Sequence, residues 1–163
     1  MPHRRLALAC AAALAGLSLA GCGFSPLYSS AGYGRLAGLT VEAGPERFDF
    51  LVQDAIRDFT GPGSSRYVLR VSTDLGDAPV GISPSGEATR STLTADALWE
   101  LETAGGPLTG SRSVSLGFDQ PRDPYALLAA RGEAEERLAA LLAEAVIQDI
   151  AVALRRHQDG PGS

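Results

Sequence analysis

The chain has 163 residues, 19 acids against 14 basic residues, and a formal charge of −5 at pH 7; every one of the basic residues is arginine. That balance argues against a generic nucleic-acid binder, whose footprint is a basic patch or stripe, while leaving room for a local arginine cluster that meets an anionic lipid. Cysteine occurs only at positions 10 and 22, too few for a disulfide-stapled scaffold or a cysteine-based zinc site.

The first element is an export signal. Arg4 and Arg5 precede an uncharged, mainly apolar run of fifteen residues at positions 6–20. A membrane span needs about 20 apolar residues and a signal core only about 7 to 15, so residues 1–21 read as a signal peptide. The run ends in Leu19-Ala20-Gly21-Cys22, the pattern of a bacterial lipobox. On this reading the peptide is cut before Cys22, the Cys22 thiol carries diacylglycerol, and the freed amine carries an acyl chain. Two or more chains anchor stably where one binds marginally, each buried CH₂ contributing about 0.8 kcal/mol. Cys22 is the expected lipidation site, and apart from these covalent acyl groups no cofactor and no metal is expected. Gly23 and Phe24 follow, without the aspartate that retains some lipoproteins in the inner membrane, which favours the outer membrane.

Cleavage would leave 142 residues, with Arg4 and Arg5 removed. A domain near 150 residues buries about 68–70% of its unfolded surface, so one domain with a sizeable core is expected. Residues 22–34, with Pro26 and several glycines, read as a lipidated tether, residues 35–157 as the domain, and residues 158–163 as a frayed tail. Leu39 and Val41 mark a short first strand. Pro45 then suits the first turn of a helix. Phe48, Leu51, Val52, Ala55, Ile56 and Phe59 recur at steps of three and four, the stripe of an amphipathic helix over residues 46–59.

Three alternating segments follow. Tyr67, Leu69, Val71 and Leu75 oppose Arg70, Ser72 and Asp74, the period of two of a half-buried strand. Next, Leu93, Ala95, Ala97, Trp99 and Leu101 oppose Arg90, Thr92, Thr94, Asp96, Glu100 and Glu102, with Leu98 interrupting the polar side. In the third, Leu108, Val114, Leu116 and Phe118 oppose Thr109, Ser111, Ser113 and Ser115, while Gly110 and Arg112 fall on the apolar side. The "TAGGP" stretch between the last two reads as a hairpin connection, and residues 76–87 as a mobile loop. Asp123 is a good N-cap, with Pro124 at the first helical position of a long closing helix that ends near His157; Leu127, Leu128, Ala134, Leu138, Leu141, Leu142, Ala145, Val146, Ile150, Ala153 and Leu154 trace its apolar stripe. Gly132 marks a possible kink or break, and Arg155 and Arg156 favour the carboxyl end. The expected architecture is α+β, a two-layer sandwich: four strands, mainly antiparallel, with two helices on one face, in the order β-α-β-β-β-α.

Catalytic chemistry finds little to work with. The mature chain has a single histidine, His157, in the last turn of a helix. Glu133 and Arg137 stand at i and i+4, which makes the Glu133, Glu135 and Glu136 group a solvated helix face. Asp74 and Asp77 lack the oxygen-ligand spacing of a calcium loop, and no Gly-x-Ser-x-Gly elbow occurs. Trp99 at an alternating strand position reads as core rather than as a stacking platform. No enzyme is expected.

"CGFSPLY" at residues 22–28 resembles the start of mature LPS-assembly lipoproteins of the LptE family, which often open Cys-Gly-Phe-x-x-Leu-Tyr. "RSTLTADALWEL" at residues 90–101 is similar to the central strand of alphaproteobacterial members, and the segment from Asp123 resembles their closing helix. Departures are the absence of lysine and the Leu98-Trp99 pair, where alanine and tyrosine are expected. The resemblance implies a non-enzymatic lipoprotein that plugs the LptD β-barrel in the outer membrane, helps that barrel assemble, and assists lipopolysaccharide transport to the surface. Contact with lipopolysaccharide phosphates would use arginine, whose fork binds phosphate in two places. Arg90 and Arg112, on neighbouring strands, are the candidates, with Arg70 behind them; the plain alternative for each is pairing with acids such as Asp96 and Glu100. Two other classes stay open: a lipoprotein module carrying another lipid or apolar ligand, and an envelope enzyme with an unrecognised site.

Overall fold

The computed structural model describes residues 36–62, 65–82, 84, 86 and 88–158. The signal peptide, Cys22, the tether at 22–34 and the tail from residue 159 lie outside the described residues. In chain order the elements are β1 (Thr40–Ala43), α1 (Arg47–Thr60), β2 (Val68–Ile82), β3 (Ala88–Glu102), β4 (Leu108–Asp119) and α2 (Pro124–Gln158). This is the expected α+β order.

The strands lie in one sheet in the order β1-β2-β3-β4. β1 runs parallel to β2, joined by α1 as a crossover, while β2–β3 and β3–β4 are antiparallel. Alternation sorts the two faces. On β3, Leu93, Ala95, Ala97, Trp99 and Leu101 are buried, whereas Asp96, Leu98 and Glu102 between them are exposed. Both helices cover the buried face, α1 against β1 and β2 and α2 against β3 and β4, and they also touch each other.

α1 starts at a capping box. Glu46 is the N-cap, its side chain accepting from the backbone N–H of Asp49 while its own N–H donates to Asp49 Oδ2 at 3.0 Å. Pro45 therefore precedes the cap instead of opening the first turn. Asp49 is buried, and it also accepts from Thr73 Oγ1 at 2.5 Å, which fastens the helix start to β2. Phe48, Val52 and Ile56 fill the core; Phe59 is 44% exposed.

Three sequence expectations change. Residues 76–82 belong to β2 and pair with β3 as a long hairpin arm, with register shifts after Pro79 and after Gly81. Their glycines and proline disguise a strand whose pairing is supplied by the backbone of β3, and the shifts accommodate a proline that has no N–H to donate. Gly132 does not interrupt α2, which is one helix of 35 residues, about 52 Å at 1.5 Å per residue. Asp123 caps it, its Oδ1 accepting from the Ala126 N–H at 2.8 Å. The apolar stripe is also narrower than expected. Ala134, Leu138, Leu142, Val146, Ile147, Ile150 and Leu154 are buried, but Leu128 is 71% and Leu141 44% exposed.

Candidate functional site

Among the described elements, the helices leave one face of the sheet uncovered, and that face is mainly polar. Even-numbered residues of β1, β2 and β3 and odd-numbered residues of β4 point there, as the paired positions Glu42↔Arg70, Arg70↔Glu100 and Glu100↔Thr109 require. Thr94 and Ser115 share a hydrogen bond across it at 3.0 Å. A shallow cleft of about 780 Å³ lies on this face between Glu42, Arg70, Ser72, Leu98, Glu100 and Ser111.

Arg70 sits at the centre of an ion network. Its Nε donates to Glu42 at 3.0 Å, and its Nη1 donates to Glu102 at 2.7 Å and to Glu100 at 3.3 Å. The hydrogen bond and charge of Glu102, followed by the charge of Glu42, hold the guanidinium above its ordinary pKa. A raised arginine pKa favours the charged folded state throughout the physiological range, and the benefit is lost only as pH rises past that value. Arg70 is therefore a fixed cation already shared among three carboxylates.

Arg90 lies on the same face, paired with Asp119 at 3.1 Å. Arg70 faces Glu100, ten residues along β3 from Arg90, so the two are about 33 Å apart at 3.3 Å per residue. Arg112 is on the other face. It stands opposite Ala97 and its Nη2 donates to Asp149 of α2 at 2.5 Å. The fold thus does not bring the three arginines together, and each is engaged by at least one carboxylate.

Arg112 and Gly110, the two anomalies on the apolar side of β4, are explained by Trp99. The indole is buried and its Nε1 donates to Asp149 Oδ2 at 3.1 Å. A Cβ at Gly110, directly across the pair, would stand 2.5 Å from Trp99 Cζ2 and 2.9 Å from the same Asp149 oxygen. Glycine makes room for the indole, and Asp149 serves both Trp99 and Arg112. Asp149 went unnoticed in sequence because it sits in a helix read as an apolar stripe; the misplaced Arg112 was the available signal.

A second polar cluster ties the layers together. Glu135, 10% exposed at its side chain, pairs with Arg47 of α1 and with Arg131 Nε at 3.0 Å, and Arg131 Nη1 reaches Asp77 of β2 at 2.9 Å. His157 is exposed at the end of α2, beside Gly105 of the β3–β4 turn. Among the described residues no three histidine, cysteine, aspartate or glutamate side chains are placed to hold a metal ion, and no buried side-chain donor or acceptor lacks a partner. No described helix is long and apolar enough to cross a membrane.

No family model matches the chain, and no curated protein matches it in sequence. Solved structures do match it. A lipoprotein from Caulobacter crescentus CB15 superimposes with a TM-score of 0.62 at 23% identity, covering 77% of this chain and 97% of its own. Rare lipoprotein B from Shewanella oneidensis gives a TM-score of 0.58 at 14% identity, covering 75% and 98%. At these identities the likeness is one of fold, and it runs through nearly the whole of each neighbour: the chain shares its fold with two bacterial lipoproteins.

Proposed function

We propose that this chain is a lipid-anchored outer-membrane protein that seats in the LptD β-barrel, helps it assemble and assists lipopolysaccharide transport, without enzymatic activity. One observation carries the reading: a chain with a lipobox and the family-like opening "CGFSPLY" also has a fold shared with two lipoproteins. The free sheet face supports it, since large barrels have a polar lumen and this face is built mainly from serine, threonine and charged residues. The apolar side of the sheet is occupied by α1 and α2, so the described fold spends that surface on its own core instead of on a carried lipid. Because Arg70, Arg90 and Arg112 are each paired with carboxylates, the reading rests on the barrel partnership more than on direct phosphate contact.

The test is a detergent pull-down of the full chain from its own envelope, analysed by mass spectrometry for co-purifying proteins and for the N-terminal peptide. The expected result is a stoichiometric outer-membrane barrel together with a diacylated or triacylated Cys22. Depletion is expected to lower surface lipopolysaccharide and leave the barrel misassembled. A monomer that extracts with bound lipid and no barrel, or normal surface lipopolysaccharide after depletion, would overturn the proposal.

A further inference from the structure

Charge on the free sheet face is lopsided. Among its described strand residues there are six acids, Glu42, Asp74, Asp96, Glu100, Glu102 and Asp119, against Arg70 and Arg90. Both arginines are already neutralised by acids of the same face. An approaching anion meets a negative surface with no free guanidinium.

Two further features lie at its centre. Asp74 and Asp96 stand directly opposite each other on β2 and β3, and among the described residues no hydrogen bond or ion pair reaches either carboxylate. Like charges directly opposite destabilise an antiparallel pair. Two residues along β3 from Asp96 is Leu98, 67% exposed, with Ser72 opposite on one side and Ser111 on the other. The complement of this surface is a cation for the two carboxylates and an apolar group for Leu98, about 7 Å apart at roughly 3.4 Å per strand residue.

We propose that this face docks a strand-built, cationic protein wall. A lysine or arginine of the wall faces Asp74 and Asp96, and an apolar side chain two residues away on the same strand seats on Leu98. The proposal rests on the reading above, in which the wall is the lumen surface of the barrel; alternate residues of one strand face the same side, so a basic and an apolar residue two apart arrive together. Complementary charge of this kind steers and registers a docking surface. Lipopolysaccharide phosphates are repelled from the same face.

The test compares full-length lipidated protein with Asp74→Asn, Asp96→Asn, Asp96→Lys and Leu98→Ser, each co-expressed with the barrel and recovered in detergent. In the purified free protein, Asp96→Asn is expected to raise the unfolding midpoint, because the repulsion is removed. In the complex, the same change is expected to lower recovery about tenfold and Asp96→Lys further, since like-charge juxtaposition is costly at an interface. Leu98→Ser is expected to weaken recovery several-fold. A wild-type complex that all four variants leave intact, or that Asp96→Lys tightens, overturns the face assignment while the barrel reading stands. If the wild-type chain recovers no barrel, both fall together.

Discussion

Gly110 is glycine because the indole of Trp99 fills the space its Cβ would need. Gly110→Ala is therefore expected to cost about 1–3 kcal/mol, the range for forcing a methyl group into a packed interior. Asp149→Ala is expected to cost about 1.5–3 kcal/mol, because it strands the Trp99 N–H and removes the partner of Arg112. Asp149→Asn should cost less, since an amide oxygen still accepts from the indole. Urea titration followed by Trp99 fluorescence reads all three, because the chain has a single tryptophan. Equal stability of the alanine variants and the parent would disprove this account of the cluster.

At the level of elements, α2 carries a testable consequence of its continuity. A Cβ at Gly132 would meet nothing within 4 Å, so Gly132→Ala fills no occupied space and lowers the entropy that the helix must overcome. It is expected to stabilise the fold by about 0.5–1 kcal/mol, read as a higher urea midpoint; destabilisation would mean that the glycine serves a bend. Elements of this kind were legible in the sequence because their signals are local. Phe48, Val52 and Ile56 announce α1 by spacing alone, and Leu93 to Leu101 announce both β3 and its buried side. Pairing is not local. The arm at residues 76–82 is a strand only because β3 lies beside it, and Asp74 faces Asp96 only in the register the hairpin adopts. Asp149 finds Trp99 50 residues away and Arg112 37 away, separations at which spacing carries no information. For the same reason the three arginines looked like neighbours from strand adjacency, whereas the faces and the length of β3 keep them apart.

Across the whole molecule, Glu135 is the point where three elements meet. It joins Arg47 of α1 to Arg131 of α2, and Arg131 passes the link to Asp77 on β2. Arg47 is largely solvated, and Arg131 is partly solvated and keeps Asp77, so removing the carboxylate leaves no buried stranded cation, and Glu135→Ala is expected to cost only about 1–2 kcal/mol. Glu135→Met, which restores the volume, should recover much of that loss. Denaturant midpoints check both, and a loss for Met as large as for Ala would show that charge, rather than packing, dominates. The position of α2 in the chain has a consequence for folding. The inner side of β3 and β4 is covered by residues 134–154, which follow all four strands in chain order. Until that stretch docks, Leu93, Trp99 and Leu101 on the inner side of the sheet lack their cover. The core is therefore closed by its last element, and a chain truncated before residue 134 would leave that side of the sheet open to water.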